Sequence, residues 1–329
     1  MQLPNAFDQF YDAISLGANP RRRIESAATG LINYLTRKYG LGPNAVFLQG
    51  SVPNQTAIEP ADDDGEYDAD LVAVCARGDM SPDQALDDLE ATLAQDGTYE
   101  DLLKKEGARK DPCVRLRYAD DEVGGFHVDI VPARPSSSGD PQASLEVPRR
   151  GEGWHDSTPA EYTQWCRDQG PRFARTVMML KRWRDVHQTA RSSVSSIVLQ
   201  VLAARAMGSQ SSDGDALVST LEGMQAFLAA SPDAPPVITN PVLYAENLAA
   251  RWEVPAYRDF RRELDEAVVL ARRALESQDA QESHTLWHEL LGDDFPARPS
   301  QGESSAPPPP PPPGYERAPQ APPRRERYG

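Results

Sequence analysis

The chain has 329 residues, 39% of them hydrophobic and 26% charged, with a formal net charge of −16. That is enough for one large or two ordinary domains, with no apolar run near the roughly 18–20 residues that span a bilayer. The apolar runs thus give no expectation of a membrane partner, and the acidity argues against a stable nucleic-acid complex, since gripping a phosphate backbone needs Lys and Arg to displace counterions.

The stretch "MQLPNAFDQFYDAISL" carries acids and no basic segment, unlike a signal peptide, and Cys75, Cys113 and Cys166 suit reduced thiols in a cytoplasm. From about Pro4 to Tyr39 the spacing predicts a helix, with Ile24, Ala27, Ala28, Leu31 and Leu35 in one stripe and Gly40 as its stop. Ala45 to Gly50 predicts a strand ending in a Gly-Ser turn, and Asp68 to Ala76 a second strand. Ser81-Pro82 opens a helix carrying Leu86, Leu89 and Leu93. Cys113 to Ala119 alternates as a half-buried strand does, and Asp120-Asp121 turns it into Gly125 to Ala133, whose centre carries Asp129.

A Pro-, Ser- and Gly-rich loop is expected from Arg134 to Ser157, and the character then becomes helical. A long helix is expected from Pro159 with Phe173, Val177 and Leu180 buried, then helices at Ser192 to Met207, Asp215 to Ala230, Tyr244 to Arg251 and Tyr257 to Gln278. From about Arg298 the composition changes: Pro307 to Pro313 is unbroken proline, unable to bury a core and expected as polyproline II or disorder. The expected division is residues 1–150 as a mixed sheet-and-helix core with an N-terminal helix, 151–297 as a helical domain and 298–329 as a tail.

Asp68 and Asp70 stand two apart, so on a strand they share a face, where like charges repel unless a cation sits between them. Asp129 lies between apolar residues on another predicted strand. Three carboxylates meeting at one sheet edge suit two magnesium ions about 3.5–4 Å apart. Gly50-Ser51 lets backbone N–H groups approach a phosphate, and Lys181 supplies a point charge for outgoing phosphates. The matching reaction is nucleotidyl transfer, a hydroxyl attacking the α-phosphate of an NTP. Against this stands the ordinary reading of "ADDDGEYD" as a solvated acidic loop. Asp70 running straight into "LVAV", the upstream Gly-Ser turn and the third Asp together outweigh it. Glu66/Asp68 is an alternative pair with the same spacing, set aside because Glu66 lies nearer the loop.

These motifs resemble the polymerase-β-like nucleotidyltransferases, and within them the bacterial cGAS/DncV-like group, over roughly residues 5 to 290. Gly50, Ser51, Asp68, Asp70 and Asp129 match the family's turn and carboxylates, and Thr56-Ala57-Ile58 is also similar. "MLKRWRD" resembles its spine helix, while Asn240-Pro241 and Asn247-Leu248-Ala249 resemble a further signature. The resemblance implies an α+β nucleotidyltransferase core with a helical domain. It implies Asp68, Asp70 and Asp129 as catalytic metal ligands for two Mg2+ (or Mn2+), and Gly50, Ser51, Lys181 and Ser195 on the NTP triphosphate. It further implies a cyclic di- or trinucleotide or short linear second messenger made in anti-phage defence. The departures are the long stretch 52–67, read as an inserted lid-side loop, and Asn240 where the family often has Asp.

His284 and His288, four apart, are expected as polar side chains facing water rather than as metal ligands, and the three cysteines as core; His127 shares the face of Asp129, while Arg115 and Arg117 are expected on a solvated strand face. In the tail, the proline run is a spacer or a ligand for a Pro-binding domain. Gly329 resembles the conjugated terminal residue of some relatives, implying a ubiquitin-like E1/E2 ligase as partner. The alternatives are a polymerase-β-like transferase acting on tRNA or a small molecule, and a non-catalytic interaction module using the tail. An acidic body counts against tRNA, and the three acids count against the module.

Overall fold

The structure is a computed structural model that describes residues 1–62, 65–104, 109–110, 112–118, 125–149 and 151–299. The expected turn at Asp120-Asp121, the proline run Pro307–Pro313 and Gly329 lie outside the described residues.

Helix α1 (Pro4–Ile14) and helix α2 (Ala18–Tyr39) take the place of the single helix expected at the start. The break follows from where each stripe goes. Phe7, Phe10 and Ile14 pack into the helical half, whereas Ile24, Ala28, Leu31 and Leu35 pack under the sheet. Between them Ser15 bridges Ile58, and the Gly17 N–H donates to Glu59 Oε1 at 2.7 Å. Gly40, at φ 62°, ends α2 in the left-handed conformation that favours glycine.

Strand β1 (Val46–Gln49) and strand β2 (Tyr67–Val74) follow as expected. Helix α3 (Pro82–Leu93) starts in a capping box: Ser81 Oγ accepts from the Gln84 N–H at 3.3 Å, and Gln84 Oε1 from the Ser81 N–H at 2.8 Å. Helix α4 (Gly97–Leu103), capped by Asp96, precedes the short β3 (Arg109–Lys110), then β4 (Cys113–Arg117) and β5 (Phe126–Pro135). The sheet order is β1-β2-β5-β4-β3; β2 and β5 run parallel, while β1 against β2 and β4 against β5 are antiparallel.

The expected loop at 134–157 contains a hairpin, β6 (Leu145–Arg149) and β7 (Gly153–Ser157), with β6 pairing the end of β5. Its alternation is obscured by Pro148 and by Glu146, which is buried because it pairs with Arg134 at 2.6 Å. Arg134 also stacks over the Trp154 ring, 4.4 Å from its centroid.

The expected long helix from Pro159 is α5 (Pro159–Asp168) and α6 (Pro171–Val186), split where Gly170 adopts φ 85° ahead of Pro171. Helices α7 (Gln188–Arg191), α8 (Ser196–Ala206), α9 (Asp213–Ala229), α10 (Val254–Glu276) and α11 (Ala280–Leu291) complete the helical half. Trp183, Trp287, Phe260 and Phe295 lie in its core, and Phe7 of α1 meets Trp287 edge-on, ring centroids 5.0 Å apart.

No helix forms at Tyr244–Arg251. Asn247 Oδ1 accepts from the Ile238 and Ala249 N–H groups at 2.9 and 3.0 Å, and Asn240 Oδ1 from the Val242 N–H at 3.0 Å. These side chains give the backbone partners that a helix would otherwise supply, so the segment stays a chain of turns. Among the described residues no helix is long and apolar enough to cross a membrane.

Candidate active site

Sheet register assembles the acids. Gln49 on β1 pairs with Asp70 on β2, Asp70 with Asp129 on β5, and Asp129 with Arg115 on β4. One row thus runs Gln49–Asp70–Asp129–Arg115 across four strands. Two residues along, on the same face, Asp68 pairs with His127 and His127 with Arg117. The intervening Ala69, Leu71 and Val128 point to the opposite face and are buried in the core shared with α2 and α3.

The turn after β1 brings Gly50 against Asp70. Gly50 sits at φ 77°, and a Cβ there would collide with Asp70 Oδ2, so only glycine permits both the turn and the carboxylate. The Asn54 N–H donates to Gly50 O at 3.2 Å and the Thr56 N–H to Ser51 O at 2.9 Å, folding the segment into a compact loop beside the acids.

From the facing side, α6 inserts Lys181, whose Nζ donates to Thr56 O at 2.9 Å. Burial, with Arg184 nearby, pushes the Lys181 amine down to about 8, while Asp68, Asp185 and Asp70 pull it back up. Asp70 moves oppositely: burial, then repulsion from Asp68 and Asp129, pushes it up to about 7 despite Arg115 and Lys181. Acids and amine line one cleft of about 740 Å³, with Gly50, Ser51, Asp68, Asp70, Lys181 and Arg184 on its walls. Its size is that of a site for a small molecule or nucleotide.

Asp129 is placed differently from its two neighbours. It accepts from Arg115 Nε at 2.7 Å and from Arg115 Nη2 at 2.6 Å, and it does not line the cleft. Among the described residues no three His, Cys, Asp or Glu side chains converge closely enough to hold a metal ion. The Asp68/Asp70 pair nevertheless fits a hard divalent cation: two carboxylates share a face, and their repulsion contributes to the raised affinity of Asp70 for a proton.

Arg115 is not on a solvated face. Its side chain is 11% exposed and spends its fork on Asp129, because the face that alternation assigns to Cys113, Arg115 and Arg117 is the one carrying the acids. Arg117 is partly exposed and pairs with Glu66 at 3.1 Å. Glu66 also meets His127 Nδ1 at 3.3 Å, so it is engaged along the second row beside Asp68. Burial, then Arg115, lowers the basicity of His127.

Ser195 is the exposed N-cap of α8 and does not line the cleft; the hydroxyl that does is the adjacent Ser196, held by Arg184 Nη1 at 2.9 Å. Arg184 also donates to Asp185 at 2.7 Å, which fixes it as a second cation on the helical wall. Its signal in the sequence was the basic run Lys181 to Arg184, three residues being one helical turn and so nearly one face. His284, expected at the surface, is instead buried, and with the half-buried His288 it bonds the carbonyls of Pro296 (2.7 Å) and Phe295 (2.8 Å), anchoring the chain after α11. Cys113 and Cys166 are buried and Cys75 is half-buried.

Residues 1–170 match the family described as the Second Messenger Oligonucleotide or Dinucleotide Synthetase domain. The cyclic AMP-AMP-AMP synthase of an Acinetobacter strain is 24% identical, aligning 79% of this chain and 75% of that protein. Among solved structures, the CD-NTase CdnG of Bradyrhizobium diazoefficiens, in complex with GTP, superposes with a TM-score of 0.69 at 18% identity, covering 89% of this chain and 96% of that one. CdnC of E. coli MS115-1, with ATP, gives 0.65 at 16% identity over 89% and 98%. The family match spans more than half of the residues and includes the Gly-Ser turn and all three acids, so the chain belongs to the second messenger oligonucleotide or dinucleotide synthetases and is a nucleotidyltransferase.

Proposed function

We propose that this chain joins NTPs into a cyclic di- or trinucleotide, or a short linear oligonucleotide, that serves as a second messenger in bacterial anti-phage (CBASS) signalling in the cytoplasm. One observation carries the reading: the strained Asp68/Asp70 pair faces the buried Lys181 across a cleft built on the Gly50-Ser51 turn. Relatives whose names describe cyclic nucleotide synthases support the product class.

Asp68 and Asp70, with Asp129 completing the set, would hold two Mg2+. When bound, these ions lower the pKa of the attacking ribose hydroxyl and neutralise the phosphates. The chain's own groups do the rest. The Gly50-Ser51 turn offers backbone N–H groups and a hydroxyl to the triphosphate. Lys181, anchored on Thr56 O, and Arg184, anchored on Ser196 and Asp185, present positive charge to the leaving pyrophosphate. Because each cation is already tied to the frame, little reorganisation is needed at the moment of transfer. Ser195, exposed at the start of α8, remains a further candidate contact for the triphosphate.

The test is incubation with all four NTPs and Mg2+ or Mn2+, products read by mass spectrometry after phosphatase treatment, beside an Asp68→Ala/Asp70→Ala double variant. Cyclic or oligomeric nucleotides from the unmodified protein alone are expected. Nucleotide transfer only onto added tRNA or a small-molecule acceptor would refute the reading.

A further inference from the structure

Asp129 faces two neighbours in its row. On one side is Asp70; on the other is Arg115, whose planar fork takes both oxygens at 2.7 and 2.6 Å. Both side chains are largely out of water, 11% exposed for Arg115 and 14% for Asp129, where a forked guanidinium–carboxylate pair is geometrically demanding and hard to part. Cys113, two residues before Arg115 and so on the same face, leans on the same carboxylate; burial and then Asp129 push its thiol far above the usual range. The carboxylate held in this way stands outside the cleft lining, and the acids do not converge as a set of three.

The charge balance points the same way. With Arg115 on Asp129, the described acids of this sheet face left without an ion pair are Asp68 and Asp70, a pair suited to one divalent cation. A second cation needs Asp129, and both oxygens of Asp129 are already held by Arg115.

Resting on the reading of this cleft as a cation-dependent transfer site, we propose that Arg115 is a positioning residue that withholds Asp129. Asp68 and Asp70 take the first divalent ion on the structure as it stands. Asp129 contributes to a second only when the Arg115 fork releases an oxygen. The Arg115 fork therefore makes occupancy sequential, and the release of Asp129 is the step that completes the site. Glu66, which already acts on Arg115 through space and binds Arg117, is the nearby acid toward which the freed guanidinium is drawn.

The experiment is a Mn2+ titration of the full chain without nucleotide, by calorimetry and by the electron paramagnetic resonance signal of free Mn2+. The unmodified protein is expected to take one ion well and a second only weakly. Arg115→Gln should bind the second ion at least about tenfold more tightly, and adding Asp129→Asn to it should abolish that gain. Because Arg115→Gln leaves a buried carboxylate without its partner, a thermal melt checks that it folds. Arg115→Lys keeps the charge but cannot fork, and should raise second-ion affinity to a smaller degree. If either folded variant binds the second ion no better, or more weakly, Arg115 does not withhold Asp129 but supports it as a ligand, and the proposal falls. Failure of the underlying site reading looks different: the Asp68→Ala/Asp70→Ala variant would then bind Mn2+ as well as the unmodified protein.

Discussion

Replacing Asp70 with Asn should abolish nucleotide transfer and at the same time stabilise the fold. Asp70 sits at about 7 in the folded chain against 3.8 as the ordinary value, with burial first and the charges of Asp68 and Asp129 next as causes. The folded state therefore binds more protons than the unfolded state between those limits, so stability falls as pH rises through that window. An Asn is neutral throughout and escapes this cost. Integrating the linkage gives the variant an advantage of about 4 kcal/mol near pH 7 and about 2 kcal/mol near pH 5, shrinking to nothing below pH 4.

The assay is urea denaturation followed by far-ultraviolet circular dichroism, with EDTA present, at the two pH values. Saturating Mg2+ should then stabilise the unmodified protein by about 2–3 kcal/mol at a hundredfold excess over its Kd, and the variant by much less. A variant no more stable than the original near pH 7, or one whose gain is the same at both pH values, would refute the reasoning. Either result would mean that Asp70 does not carry an uncompensated charge in the folded cleft.

Lys181→Met removes the other strained charge. Since the folded amine lies near 8 and the unfolded one near 10.5, stability from this group rises with pH between them. The variant should gain about 1–3 kcal/mol at neutral pH, after the loss of the bond to Thr56 O, and nothing above pH 10; its turnover should fall about a hundredfold or more. Gly50→Ala should cost about 1–3 kcal/mol in denaturant melts, because φ 77° and Asp70 both oppose a Cβ, and activity should be lost with it. Asn247→Ala should cost about 2 kcal/mol by unpairing the Ile238 and Ala249 N–H groups, read as a lower urea midpoint at unchanged slope.

The acids of β2 were legible because their signal is local. Two residues of spacing on a strand fix a shared face, and a Gly-Ser turn upstream fixes what approaches it. The helices expected at Ser192 to Met207, Asp215 to Ala230 and Tyr257 to Gln278 lie within a few residues of α8, α9 and α10, whereas the split between α5 and α6 was not legible, because breaks depend on what each face meets. Nothing in the periodicity of residues 4–39 says that Phe10 and Ile24 belong to different cores, and it is that divergence that splits α1 from α2. The segment 244–251 reads as helical in sequence, yet Asn240 and Asn247 supply the backbone around it with side-chain hydrogen bonds in place of a helix.

Arg115 and Ser195 mark where local reasoning stops. Alternation correctly groups Cys113, Arg115 and Arg117 on one face of β4, but alternation is blind to what covers that face. What decides it is the β4–β5 register, a pairing between strands whose connecting residues carry no periodic signal, and that register sets Arg115 opposite Asp129. For α8 the difficulty is angular. "SSVSS" offers serines at 192, 193, 195 and 196, and each step along a helix turns the side chain by about 100°, so a slip of one residue swaps an exposed cap for a hydroxyl in the cleft. Both cases have the same physical origin. Residue type and spacing specify which groups a site needs, whereas the partner that holds each group in place comes from a neighbouring element far away in sequence. The charge state of the site depends on those partners: removing Arg115 from the account would leave three acids without an ion pair, and including it leaves two, with the Lys181 amine facing them.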